Sequence, residues 1–269
     1  MSRITDKLNE AKRRGGGFIP FITAGDPDLA TSLSIVLKLA EMGADVIELG
    51  VPFSDPMADG PTIQRSSQRA LENGTRLTDV LDLAAAIRKR SDVPVVLFSY
   101  FNPIMHFGID NFVLAASAAG VDGVLLTDVI EHEAAGIASR LAECNIDLIS
   151  LIAPTTTDER LAVICRNARG FIYAVSRAGV TGAQEKTSAD AEALVSRARK
   201  FTDLPVAVGF GISTAKQVAD VRKYADAAVV GSAIVAEIER SGNAVSAVEN
   251  VERFVSNLLP KFAKTGAEN

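Results

Sequence analysis

Eight short runs, apolar for almost their whole length, recur along the chain: Phe18–Thr23, Ala44–Leu49, Pro94–Tyr100, Gly123–Thr127, Asp147–Ala153, Gly170–Ser176, Pro205–Gly209 and Ala227–Val230. A sheet exposed on one face alternates apolar with polar residues, so runs of this kind predict strands covered on both faces. Helical patterns separate them: Asp28–Met42 closed by Gly43, Thr78–Arg90, Asp110–Ala119 closed by Gly120, and a helix opening with Glu131 and Glu133. Further helices are predicted near Asp158–Asn167, Ala189–Lys200, Thr214–Lys223 and Ala244–Leu259. Strand–helix alternation builds either a doubly wound open sheet or a (β/α)8 barrel. The count of eight, with no break in composition, favours one TIM-barrel domain spanning residues 1–269. An open sheet stays as the alternative, since periodicity does not show closure. Ahead of the first strand, Ile4, Leu8 and Ala11 share helical spacing in Ile4–Arg14, which stops at three glycines. This predicts an extra helix, placed to plug the bottom of the barrel.

Composition removes several classes of function. Aromatic residues make up 6% of the chain, too few for a nucleic-acid stacking surface, and the net charge of −5 argues against binding polyanions through a general positive field. Cys144 and Cys165 match no metal spacing and read as reduced thiols. The charged N-terminus lacks the apolar core of a signal peptide, and no apolar stretch approaches a membrane span. The expectation is a soluble, cytoplasmic protein.

Barrels place their chemistry at the carboxyl ends of the strands. That rule selects Phe21, Thr23, Glu48, Tyr100, Asn102, Thr127, Asp128, Tyr173, Ser176, Gly209, Gly211, Gly231 and Ser232. The densest stretch is Val46–Gln64, VIELGVPFSDPMADGPTIQ. Glu48 stands at the end of an apolar strand, where a carboxylate must be paired, hydrated or used. The loop from Gly50 to Pro61 is stiffened by prolines and carries Asp55 and Asp59. One carboxylate on a rigid strand and one on the loop above it suit proton transfer. Read as structure alone, Asp55 and Asp59 are turn formers and Glu48 is the partner of a lysine or arginine beneath the loop.

Three late loops share a composition: Ser176–Gly182 after the sixth strand, Gly209–Ser213 after the seventh, and Gly231–Ala233 after the eighth. Glycines let backbone N–H groups approach an anion, and a helix start supplies unpaired donors with a positive dipole end. A short helix around Ala233–Ala236, with the Ser232 hydroxyl beside it, would complete a phosphate site. Each loop alone is equally a tight turn that requires glycine, and Ser213 and Thr214 equally suit helix N-caps.

The run Glu48-Leu49-Gly50-Val51-Pro52-Phe53-Ser54-Asp55-Pro56 through Ala58-Asp59-Gly60-Pro61 resembles the signature of the tryptophan synthase alpha subunit family. The resemblance extends from Phe18–Gly25 to Val230–Val235. It implies a TIM-barrel lyase that cleaves indole-3-glycerol phosphate to indole and glyceraldehyde 3-phosphate by a retro-aldol reaction. It also implies Glu48 as the acid–base catalyst and Asp59 as the group that stabilises charge on the ring nitrogen. Phe21, Tyr100, Leu125 and Tyr173 are the expected substrate contacts, with Ile63 a further candidate wall. Thr181 is expected on a loop, Ala178–Ser188, that closes over the substrate. Gly182, Gly211, Gly231 and Ser232 are the expected phosphate contacts. The family's partner is a beta subunit carrying pyridoxal phosphate, in an alpha2beta2 assembly; no cofactor and no metal is expected on this chain. Pro52, Asp55, Pro56, Asn102 and Pro103 are candidates for the docking face. Where the family usually carries an Asp-Leu-Pro-Pro-Glu-Glu run, this chain has Asp128-Val129-Ile130-Glu131-His132-Glu133, which leaves that loop's partner contacts open.

Other barrel chemistries fit less well. A Schiff-base aldolase needs a lysine at a strand end, and the lysines, Lys186 included, fall in helices and loops. A metal aldolase needs clustered ligands, and His106 and His132 have no such spacing. A phosphosugar isomerase, a non-catalytic phosphate-binding subunit and a free-standing lyase that works without a partner remain alternatives at this stage.

Overall fold

The structure, a computed structural model, describes residues 2–129, 131–175, 184–209 and 211–259; residues 131–135 and 184–188 are described by backbone only. Its first half runs α1 (Arg3–Arg13), β1 (Gly17–Thr23), α2 (Leu29–Glu41), β2 (Ile47–Gly50), α3 (Pro61–Glu72), α4 (Leu77–Arg88), β3 (Val95–Ser99), α5 (Phe101–Phe107), α6 (Ile109–Ala118) and β4 (Gly123–Leu126). The second half runs α7 (Glu131–Glu143), β5 (Asp147–Ile152), α8 (Asp158–Asn167), β6 (Ile172–Val175), α9 (Gln184–Ala198), β7 (Val206–Gly209), α10 (Ala215–Val221), β8 (Ala227–Val230), α11 (Ser232–Glu239) and α12 (Ala244–Leu258). The eight strands pair in sequence order, all parallel, and β8 returns to β1, closing the barrel. This settles the choice against an open sheet.

Register shows how the barrel closes. Cα partners lead from Phe21 through Glu48, Val96 and Gly123 to Asp147. From Leu151 they lead through Tyr173, Ala207 and Ala227 back to Gly17. The partners therefore climb along β5 and again along β1, which is the stagger a tilted, closed sheet requires.

Closure divides the apolar residues into two sets. Those facing outward pack under the helices, and those facing inward fill the barrel. The inner cluster includes Ile19, Val96, Ile149 and Phe171, together with Ile4 and Leu8 of α1. The N-terminal helix therefore does plug the barrel's floor. Ser2 starts it as N-cap, accepting from Thr5 N. Gly123 has no Cβ where Ile4 Cδ1 comes within 2.8 Å of that position, so the plug seats against bare backbone. Burying Ile4 and Leu8 contributes about 2 to 3 kcal/mol each.

Several sequence boundaries move for identifiable reasons. The β2 ladder starts at Ile47 rather than Ala44, because Asp45 turns its carboxylate to Phe18 N (2.9 Å) and Arg14 (2.6 Å) at the barrel floor. Asp122 and Asp226 repeat the arrangement, accepting from Val95 N and Val206 N at 2.8 Å. Helix α3 is absent from the sequence reading, since its buried residues are only Ser66, Ser67 and Ala70 and leave no apolar stripe to read. Helix α5 was hidden by Pro103, which lies in its first turn, where a missing N–H costs little. No helix among the described residues is long and apolar enough to cross a membrane.

Candidate active site

Glu48 and Asp59 are held in place by different means. Glu48 is fixed by the β2 ladder between Phe21 and Val96 and is 1% exposed. Its Oε1 has no hydrogen-bond partner among the described residues, and no arginine or lysine there pairs with it. Among the described residues, therefore, the salt bridge of the purely structural reading is not made. Burial pushes its carboxyl up to about 8, because the charged form loses water without gaining a partner. Near neutral pH Glu48 is mainly protonated, holding a proton that it can give and take back.

Asp59 lies at the end of the β2–α3 loop and is half-buried. Its backbone is held on both sides: Asp59 N donates to Pro56 O at 3.1 Å, and Gln64 Nε2 donates to Asp59 O at 3.0 Å. Its carboxylate accepts from Tyr100 Oη at 3.1 Å, and the same hydroxyl accepts from Ala58 N at 2.9 Å. Burial raises Asp59 to about 6, and the Tyr100 hydrogen bond works in the opposite direction. Tyr100 is itself pushed up to about 12, first by burial and then by the adjacent Asp59, so it stays a donor. The Tyr100 ring packs on Phe53 with centroids 5.1 Å apart, which ties the loop to β3 at a second point. Asp55 points away from this arrangement, exposed and bonded to Ser54 Oγ.

The aromatic residues expected near the substrate take distinct positions. Phe21 makes an edge contact with Phe98, centroids 5.2 Å apart, a partner the sequence reading did not single out. A Cβ on Gly50 would stand 2.6 Å from Phe21 Cζ, so glycine at position 50 makes room for this ring. Tyr173 projects from β6 toward Gly209, whose absent Cβ would fall 2.2 Å from Tyr173 Oη. Burial and the nearby Glu48 hold its hydroxyl well above its ordinary value. Leu125 is fully buried in the inner cluster, and Ile63 is half-buried on α3.

The late loops separate into different roles. Gly211 has φ +67°, a conformation that favours glycine, so its turn is a sufficient reason for the residue. Thr214 is the N-cap of α10, reciprocated by Gln217 in a capping box, as one sequence alternative had it. By contrast, α11 starts at Ser232 with Gly231 as N-cap and no side-chain capping bond. Its first-turn donors face the mouth end of β8, where backbone N–H groups and the dipole favour an anion. Thr181 and Gly182, with residues 178–183 of the expected lid, lie outside the described residues; the side chains of its remaining residues, 184–188, do so too. At the altered loop, Asp128 accepts from Phe101 N at 2.8 Å and so starts α5.

A closed parallel barrel with a buried carboxyl on β2 and a second carboxylate on the loop that follows it is a layout found in TIM-barrel enzymes. The family profile described as tryptophan synthase alpha chain matches residues 7–263. The chain is 48% identical over 259 residues to the tryptophan synthase alpha chain of Geobacter sp. (strain M21), covering 96% of this chain and 97% of that one. It is 49% identical over 249 residues to that of Caulobacter vibrioides (strain NA1000 / CB15N), covering 92% and 90%. Among solved structures, the Legionella pneumophila tryptophan synthase alpha chain superposes with a TM-score of 0.86 at 36% identity, covering 96% of each chain. A chain of tryptophan synthase from M. tuberculosis gives 0.85 at 33% identity, covering 96% of this chain and 100% of that one. The chain belongs to the tryptophan synthase alpha chain family.

Proposed function

We propose that Glu48 and Asp59 carry the family's reaction in this chain, the retro-aldol cleavage of indole-3-glycerol phosphate in tryptophan biosynthesis. The observation that carries this reading is Glu48: a buried β2 carboxyl held near 8, whose Oε1 has no hydrogen-bond partner among the described residues. Cleavage requires a proton on the ring carbon bearing the side chain and removal of the adjacent hydroxyl proton. Protonated Glu48 gives its proton to that ring carbon, and the positive charge spreads to the ring nitrogen. Its carboxylate then takes the hydroxyl proton as the carbon–carbon bond breaks. The bonding pair returns to the ring, and indole, glyceraldehyde 3-phosphate and protonated Glu48 result.

Asp59, ionised above about 6, accepts from the ring N–H. The bond strengthens as that nitrogen becomes positive, so it favours the transition state over the ground state. Phe21, Tyr100, Leu125 and Tyr173 form the apolar surround of the ring, and Thr181 contacts Asp59 when the lid is closed. Gly182, Gly211, Gly231 and Ser232 bind the phosphate; for Gly231 and Ser232, the start of α11, which no side chain caps, supports this. The chain works in the cytoplasm, without a cofactor, in an alpha2beta2 assembly whose beta subunit carries the pyridoxal phosphate and receives indole.

The test is indole release from indole-3-glycerol phosphate by the chain alone and then with a beta subunit added. Slow release that rises sharply with the partner is the expected result. Fast release alone would replace the assembly with a free-standing lyase, and no release in either condition would overturn the reading.

A further inference from the structure

The two ends of the site are joined on the outside of the barrel by a charged bridge. Arg69 of α3 grips Asp26 with both edges, Nε to Oδ1 and Nη2 to Oδ2 at 2.8 Å, and the Asp26 side chain is 2% exposed. The remaining Arg69 nitrogen, Nη1, donates to Glu239 Oε1 at 2.8 Å. Arg65, one turn earlier on α3, holds the same Glu239 in a fork, Nε to Oε1 and Nη2 to Oε2 at 2.7 Å. Glu239 is the last residue of α11. A second link joins α3 to β1, where Thr23 Oγ1 and Ser66 Oγ lie 2.6 Å apart.

These links sit on the two elements that bracket the substrate. Helix α3 begins two residues after Asp59, and its Gln64 holds the Asp59 carbonyl. Helix α11 begins at Ser232, at the phosphate end. A half-exposed ion pair contributes little to stability by itself. The two planar forks, Arg65 on Glu239 and Arg69 on Asp26, with Arg69 Nη1 joining them, instead fix geometry, since each fork allows one orientation. The two arginines hold Glu239 down to about 2, so it remains charged across the working range.

We infer that Arg65, Arg69 and Glu239 are positioning residues, a strap that sets the distance between the phosphate anchor and Asp59. This rests on the functional reading above. The bond that breaks lies between the part of the substrate held by the phosphate and the part held by Asp59. An error of about 1 Å in that span is enough to cost on the order of a hundredfold in rate. Binding of the phosphate end alone uses the phosphate contacts and not Asp59, so it does not depend on the span.

Removing Arg69 would leave Asp26 buried and unpaired, so the test is made at the other end. In the complex with a beta subunit, Glu239→Ala is expected to lower kcat for indole-3-glycerol phosphate by about tenfold or more, given that sensitivity to position. Glycerol 3-phosphate should bind within about twofold of wild type, because its anchor is intact. Glu239→Gln, which retains an acceptor for one arginine, should fall between the two. Arg65→Ala combined with Glu239→Ala should be no worse than Glu239→Ala alone, as expected for residues acting in one unit. Wild-type kcat in Glu239→Ala would overturn the strap, and so would a loss of kcat matched by equal losses in glycerol 3-phosphate affinity and Tm. Asp59→Asn, measured in parallel, separates the two claims: if it turns over normally, the functional reading fails, whatever Glu239 does.

Discussion

The Tyr100 hydroxyl donates to Asp59 Oδ2 at 3.1 Å while accepting from Ala58 N at 2.9 Å, so one side chain fixes both the charge and the backbone of the loop above the site. The hydrogen bond favours the ionised form of Asp59 against the burial that opposes it.

Tyr100→Phe removes that donor and leaves the ring. Asp59 should then rise further above about 6. The acid limb of kcat/KM is expected to move up by roughly half to one pH unit, the equivalent of one hydrogen bond. The loss of rate should be larger at pH 6 than at pH 8. A pH–rate profile checks this.

Wild-type kcat/KM should itself follow a bell. Asp59 must be ionised, so activity falls below about 6; Glu48 must be protonated, so activity falls above about 8. A profile flat from pH 5 to 9, with chemistry rate-limiting, would contradict the assignment of both groups.

Glu48 also leaves a mark on stability. Its folded value of about 8 exceeds the ordinary 4.5, so the folded state holds this proton more tightly than the unfolded chain does. The stabilisation is complete below the ordinary value and is lost as pH rises through about 8. Glu48→Gln removes this dependence. Relative to wild type, the variant should gain on the order of 3 to 4 kcal/mol between pH 5 and pH 8. Urea denaturation at the two pH values measures the difference.

Gly209→Ala tests the packing around Tyr173. The new methyl would stand 2.2 Å from Tyr173 Oη and 2.9 Å from Val229 Cβ, and a strand atom has little room to yield. A loss of about 1 to 3 kcal/mol is expected, with a lowered Tm and reduced turnover because Tyr173 must move. At the opposite end, Leu8→Ala would open a void under the inner cluster, with an expected cost of about 2 to 5 kcal/mol and little change in KM.

The barrel was legible because its signal is repetitive: eight apolar runs and the helices between them leave few architectures. Helix α1 was equally readable, since Ile4, Leu8 and Ala11 form a stripe before three glycines. Helix α3 was not, because Ser66 and Ser67 take the buried positions that a periodicity reading expects to be apolar. Glu48 stood out as a carboxylate in an apolar run, and Asp59 through the resemblance of its stretch to the family's signature, whereas the lack of a hydrogen-bond partner for Glu48 Oε1 among the described residues is a property of the assembled barrel. Likewise the sequence reading singles out none of Arg65, Arg69 and Glu239. Their convergence joins residues about 170 positions apart, which no local pattern reveals.

The most direct measurement is indole release from indole-3-glycerol phosphate by wild type, Glu48→Gln and Asp59→Asn, each with a beta subunit and at saturating substrate. Wild type should release indole. Glu48→Gln, unable to give or take the proton, should lose at least about a hundredfold in kcat, and Asp59→Asn should lose a similar amount while glycerol 3-phosphate still binds both. Release by Glu48→Gln at the wild-type rate would contradict the account, because the reaction would then need another acid–base group.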